Sequence, residues 1–322
     1  LDQVSLMPMK NRTGLPFRDD ILEAVRNLKP TIIRWPGGCF ATHYNWLDGI
    51  GTVDQRPVRP AFDWHGMGGS EPNTLGTDEY ILFCRELDAE PFIVLNVGVG
   101  HSVLRHNDGI EKELGYFIDH ALNWIEYCNG PADSEWGSLR AANGYPEPYN
   151  VKVWGIDNEL WGDWYAQVAA KFCDAIRDKY PDLMLVAVGS NPAGIWSFGS
   201  RLSFQDPLTP KVMDVIKSRA DFMSSHNYFG GTFNDLVSHT VDATRWLTEQ
   251  KAIYDKYSVG RDVRIALDEW NGGEAELRSG IAGASYLNCL EKNSDKVGMA
   301  APALWFRHET LHPRYSWYNA LI

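Results

Sequence analysis

Seven short apolar runs, separated by amphipathic stretches of helical length, constrain this 322-residue chain more than any other feature. The runs are TIIRWPG (31–37), PFIVLNVG (91–98), VKVWGIDNE (151–159), LMLVAVGS (183–190), FMSSHNYF (222–229), VRIALDEWN (263–271) and APALWFRH (301–308). Several are apolar nearly throughout, as strands covered on both faces are. Between them, RDDILEAVRNLK (18–29) puts Ile21, Leu22, Val25 and Leu28 on one helical stripe. TDEYILFCREL (77–87) opens with a capping Thr and acidic residues that suit the helix dipole. Helices are also expected at about 111–128 and over 164–180, 241–257 and 280–293. This alternation predicts an α/β chain folded as a (β/α)8 TIM-type barrel. A doubly wound sheet is the alternative, but no strand is followed by a G-x-G-x-x-G turn. QVSLMP (3–8) is read either as strand one or as the last strand of an upstream module.

Composition removes several classes. A formal charge of −12 repels phosphate backbones and argues against nucleic acid as a partner. No run approaches 18 uninterrupted apolar residues, so no transmembrane helix and no membrane partner is expected. The five cysteines are scattered, odd in number and free of C-x-x-C, against a disulfide scaffold. The histidines show no H-E-x-x-H, so spacing offers no metal site, and no cofactor is expected. The 13 Trp and 14 Tyr either fill a large core or, in part, line a sugar platform; composition weighs the two evenly. The chain opens on Leu1 with no charged or apolar leader, and no compartment can be assigned.

Polarity along the runs is skewed. They end in Arg34, Asn96, Asn158 with Glu159, Ser190 with Asn191, His226 with Tyr228, Asp268 with Glu269, and Arg307 with His308. In a barrel all strand C-termini meet at one face, which hosts the active site. One such end alone is most often an ordinary solvated strand end; seven together are not. The connection over 37–73 leaves the top of a strand and is a candidate site loop. That over 129–150 leads to the bottom of a strand and reads as scaffold.

Two strand ends carry a glutamate, Glu159 in DNELW and Glu269 in DEWNG. A carboxyl pair flanking an aromatic-lined cleft suits glycoside hydrolysis, one acid protonating the leaving oxygen and the other attacking the anomeric carbon or activating water. Asn158 is either a sugar-hydroxyl ligand or a turn cap. His226 and Tyr228 alternate with Asn227 and share a face, where a phenol could hold Glu269; core packing is the plainer reading of both.

At these residues the sequence resembles glycoside hydrolase family 51, the retaining α-L-arabinofuranosidases. The likeness runs through IIRWPGGCF, YNWLDGIG and QRP (32–57), PNTLGTDEYILFCRELDAEPFIVLNVG (72–98), RAANGYPEPYNVKVWGIDNELWGDW (140–164) and IALDEWN (265–271), in the family's order. It implies a catalytic (β/α)8 barrel with Glu159 as acid/base and Glu269 as nucleophile. It also implies that Arg34 lies near the nucleophile, that Cys39 contacts the arabinose and that Asn158 binds the sugar 2-hydroxyl. His226 and Tyr228 match the family's S-x-H-x-Y segment, and Trp64 and Asn73 lie in the loop that shapes the subsite. The implied partner is an arabinose-containing oligo- or polysaccharide, arabinan or arabinoxylan, from which terminal arabinofuranose is released; a homo-oligomer is compatible with the sequence.

Three departures accompany the likeness. Asp157 stands where the family usually has Gly, and on an ideal strand it would share a face with Glu159, whose pKa a like charge would raise. The segment after WGDW is shorter than the family's. Both ends look incomplete, with residues 1–8 resembling the exit from an inserted carbohydrate-binding module and 9–322 a barrel without its first strand or the C-terminal β-sandwich. Two alternatives stand beside the arabinofuranosidase: a β-1,4-glucanase, xylanase or xylosidase on the same barrel, and a catalytically weak sugar-binding barrel.

Overall fold

The computed structural model describes residues 16–60, 70–98, 110–160, 163–190, 208–272 and 276–303. The expected strand at 3–8, Trp64, Trp161, Asn191, Arg307 and His308 lie outside them. The chain divides into two compact units, Leu1–Trp154 and Gly155–Ile322.

In the first unit, helix α1 (Asp19–Leu28) buries Leu22 and Val25, each worth about 1.5–3 kcal/mol relative to exposure. Strand β1 (Ile32–Trp35) follows. The connection after it is built from three 3₁₀ turns, Gly38–His43, Trp46–Gly49 and Val53–Gln55, and a small ribbon of β2 (Arg59–Pro60) and β3 (Ser70–Glu71). Arg56 is buried there and forks onto Glu79 at 2.8 and 2.9 Å. Helix α2 (Thr77–Glu86) starts one residue differently from expectation, since Gly76 is its cap and Thr77 is already helical. Glu79 accepts the Gly76 N–H at 2.9 Å, and a Cβ at Gly76 would fall 1.6 Å from the Gly49 carbonyl oxygen, so a Thr-like residue cannot stand there. Strand β4 (Glu90–Leu95) runs parallel to β1 with Arg34 opposite Phe92. Helices α3 (Ile110–Asn129) and α4 (Glu135–Ala142) precede β5 (Val153–Ile156).

The short α4 lies in a stretch that reads as a loop, because eight residues are too few to display a helical period. Ser134 caps it by accepting the Gly137 N–H. One buried guanidinium then organises the whole connection. Arg140 donates to the carbonyls of Tyr127 (2.6 Å), Gly130 (2.8 Å), Tyr145 (2.9 Å) and Pro146 (3.1 Å). Arg140→Met should strip those carbonyls of their donor and cost at least about 3 kcal/mol in denaturant unfolding. A loss below 1 kcal/mol would contradict this account of the loop. Three tryptophans of this unit take the core reading: Trp46, Trp124 and Trp154 are fully buried in an aromatic core with Trp35, Tyr44 and Tyr127.

In the second unit, helix α5 (Asp163–Lys179) leads to β6 (Met184–Ser190), α6 (Leu208–Ile216) to β7 (Phe222–Phe229), α7 (Phe233–Tyr257) to β8 (Arg264–Gly272), and α8 (Leu277–Lys292) to β9 (Val297–Pro302). The strand order here is β6-β7-β8-β9, all parallel, and in the first unit β1-β4, while β5 runs through the boundary between Trp154 and Gly155. Helix α6 gives no sequence signal because Pro210 interrupts its first turn, where proline is tolerated. Helix α7 begins two turns before the expected Val241. Thr232 and Asp235 form a reciprocal cap there, while the exposed Phe233, Val237 and Val241 blur the apolar stripe. Strand β9 starts at Val297, ahead of the run at 301–308. All five cysteines are buried thiols outside any disulfide, and no helix among the described residues is long and apolar enough to cross a membrane.

Candidate active site

Strand β7 supplies the floor of the site. Its alternation sends Ser224, His226 and Tyr228 to one side and Asn227 and Phe229 to the other. On the helix side, Asn227 donates to Tyr286 (2.7 Å) and bonds the His239 ring nitrogen (3.0 Å), and Phe229 stacks on His239. On the inner side, His226 Nδ1 lies 2.7 Å from Glu159 Oε1 and 3.5 Å from Glu269 Oε2. Tyr228 donates its hydroxyl to Glu269, and Ser224 donates to Asp268 at 2.6 Å.

Two neighbours on one strand, Asp268 and Glu269, both reach this inner face, which a regular pleat forbids. The register explains it. Ser224 pairs with Ala266 but His226 pairs with Glu269, so β8 spends three residues where β7 spends two. Against β9 the register slips in the same stretch, between Leu267 and Trp270. This is a β-bulge, and bulges re-aim side chains next to functional sites. The sequence carries no signal for it, and Asp268 reads there only as a polar strand end.

Glu159 arrives from the end of β5. The strand stops at Ile156, whose carbonyl accepts the Tyr165 hydroxyl at 2.6 Å; the same phenol accepts the Val188 N–H at 2.8 Å. Beyond it the chain turns through left-handed residues, Asp157 (φ 64°) and Glu159 (φ 48°). The same-face expectation for Asp157 and Glu159 therefore has no pleat to rest on. Asp157 instead accepts the Asn158 N–H at 2.7 Å. A glycine takes this backbone region without strain and an Asp tolerates it. For Glu159 the same region costs about 1–3 kcal/mol, of the kind concentrated at active sites. Asn158 is fully buried between them.

The result is a compact acidic cluster. One oxygen from each glutamate and the His226 ring nitrogen all lie within 4.8 Å of one another. Burial pushes the His226 pKa down, but Glu269, Glu159 and Asp268 together push it further up, leaving it above the ordinary 6.5. Burial alone pushes His239 down to about 4. The signs of their linkage to stability are opposite. The His226 contribution is fully present below pH 6.5 and is lost as pH rises through its folded value. That of His239 is present above 6.5 and erodes as pH falls toward about 4. Proton NMR titration of the two imidazoles should find one midpoint above and one well below 6.5; the reverse order would refute the assignment.

The remaining expected residues belong to the first unit. Arg34 lies on β1 with its guanidinium 5.9 Å from the Phe92 ring centroid. Cys39 is buried in the first 3₁₀ turn, its carbonyl accepting the Thr42 hydroxyl. Asn73 is buried in a left-handed conformation, its side-chain amide donating to the Pro57 carbonyl at 2.7 Å. That bond ties it to the connection after β1.

A carboxylate pair at the ends of parallel strands, braced by a histidine and a phenol, is the equipment of a glycoside hydrolase barrel. Comparison with known proteins gives the family. The sequence profile described as "Alpha-L-arabinofuranosidase 1 domain" matches residues 24–258. The chain is 33% identical to the probable α-L-arabinofuranosidase C of Aspergillus fumigatus, over 92% of this chain and 60% of that protein. It is 30% identical to the intracellular exo-α-(1→5)-L-arabinofuranosidase 1 of Bacillus subtilis, over 79% of this chain and 49% of that one. The arabinose complex of the Thermotoga maritima α-L-arabinofuranosidase superposes with a TM-score of 0.76 at 35% identity, covering 93% of this chain and 60% of that one. The family 51 enzyme of Thermotoga petrophila gives 0.74 at 34%, covering 92% and 59%. The chain thus belongs to glycoside hydrolase family 51, the α-L-arabinofuranosidases, and has their TIM-type barrel fold. It spans about 60% of the length of the fungal relatives it matches.

Proposed function

We propose that this chain carries the catalytic site of a retaining, exo-acting α-L-arabinofuranosidase that removes terminal arabinofuranose from arabinan or arabinoxylan side chains. The observation that carries the reading is the approach of a Glu159 oxygen and a Glu269 oxygen to within 4.8 Å. Retaining enzymes hold their two carboxyls about 5–5.5 Å apart, whereas inverting enzymes need about 6.5–9.5 Å to admit a water. Membership of the family favours arabinofuranosides, and the name of the Bacillus relative describes exo action on (1→5) linkages.

The chemistry runs in two displacements. The Glu269 carboxylate attacks the anomeric carbon while the bond to the leaving oxygen breaks and Glu159 gives that oxygen its proton. A glycosyl ester on Glu269 results. Glu159, now ionised, takes a proton from water; the water oxygen attacks the anomeric carbon, the ester breaks, and arabinose leaves with its configuration retained. Tyr228 holds Glu269 in its attacking orientation and disperses its charge, and His226 braces Glu159. Tyr228→Phe removes one hydrogen bond to an ionised group, worth about 1.5–3 kcal/mol. It should lower kcat by roughly 10- to 150-fold with little change in KM; a kcat within twofold of the parent would remove the tyrosine from the mechanism.

Incubation with an aryl α-L-arabinofuranoside, arabino-oligosaccharides, arabinoxylan, β-1,4-glucan and unsubstituted xylan tests the substrate class. Free arabinose from the first three is the expected result. Fragmentation of the β-linked backbones without arabinose release would overturn it.

A further inference from the structure

We propose that the second unit contains a binding site for a zinc-class divalent cation, with Glu159, His226 and Glu269 as ligands and Asp268 as the carboxylate behind the histidine. No pair of these ligands sits at a metal-motif spacing in the sequence; the fold assembles them from β7, β8 and the turn after β5. A tetrahedral ion with bonds of about 2.0–2.2 Å sets its ligand atoms roughly 3.3–3.5 Å apart. His226 Nδ1 lies 2.7 Å from Glu159 and 3.5 Å from Glu269, and all three donor atoms fall within 4.8 Å. Side-chain adjustments below about 1 Å bring them to that geometry.

A second, separate observation points the same way. Among the described residues His226 Nε2 is buried with no hydrogen-bond partner, and it faces Asp268 Oδ1 at the longer distance of 3.7 Å. Asp268 is itself fixed by the Ser224 hydroxyl. A histidine that binds metal through one nitrogen and faces a carboxylate with the other is the usual outer-shell arrangement of zinc sites. The donor set, one imidazole with carboxylates, favours Zn²⁺ or Co²⁺ over Mg²⁺ or Ca²⁺, which prefer all-oxygen cages. Because the cation would take both carboxyls of the proposed sugar site, metal and arabinose would exclude each other; that exclusion rests on the proposed function, while the binding itself does not.

Calorimetric titration of the chelator-treated chain with zinc sulfate, paired with the visible absorption of added cobalt chloride, tests the proposal without any turnover. One saturable Zn²⁺ per chain and tetrahedral cobalt bands are expected. Glu159→Gln and Glu269→Gln, both near-isosteric, should each weaken binding by at least about tenfold, and Asp268→Asn by about 10- to 100-fold, as for an outer-shell partner. L-Arabinose should raise the apparent dissociation constant; zinc binding unaffected by arabinose would support the metal site and count against the sugar site. Absence of saturable binding, or binding unchanged in both glutamine variants, would overturn the metal site.

Discussion

Glu269→Ala should lower kcat on any arabinofuranoside by at least about four orders of magnitude, the scale on which loss of a nucleophile acting within a catalytic unit is felt. The variant leaves a cavity on the face of the sugar from which the carboxylate would have attacked. Azide can enter there and displace an activated aryl group in a single inversion. The expected product is therefore the β-configured arabinosyl azide. Circular dichroism and thermal melting would establish that the variant is folded. Near-parental activity in a folded Glu269→Ala would remove this residue from the nucleophile's role.

Glu159→Ala should behave differently in a diagnostic way. On natural saccharides, whose leaving oxygen must be protonated, kcat should fall by about 10²–10⁴. On an aryl glycoside with a good leaving group, the first displacement needs no acid and persists, while the second stalls for want of a base. Azide needs no base, so it should restore turnover and give an arabinosyl azide of retained, α configuration. The two variants thus predict azides of opposite anomeric configuration. The same anomer from both, read by proton NMR, would contradict the division of labour between the two acids.

Much of this site is legible in the sequence, for a definite reason. Strands covered on both faces must be apolar until they emerge, so the runs ending at Glu159, Tyr228 and Glu269 declare both their class and their polar ends. Period-two alternation further places His226 and Tyr228 together, as found. What escapes is set by backbone register and by single long-range contacts. The β8 bulge that turns Asp268 toward His226 is a choice of hydrogen-bond partners, with no residue-type signature. The left-handed turn through Asp157 and Glu159 replaces the strand geometry that their spacing suggests. Helix α4 and its connection depend on Arg140 finding four carbonyls, two of them before and two after its own helix. The tryptophans are ambiguous in composition because indole suits a core and a sugar face equally, and only burial separates the uses.

The proposed chemistry requires two acids brought from distant segments to act on one furanose, with Glu269 forming the bond to carbon. Its most direct test is to let Glu159→Ala react with an activated aryl arabinofuranoside, quench in acid while deglycosylation is stalled, and map the modified peptide by mass spectrometry. One arabinosyl group esterified to Glu269 is the expected product. An ester on Asp268, its neighbour across the bulge, or hydrolysis to the inverted sugar with no ester at any time, would contradict it.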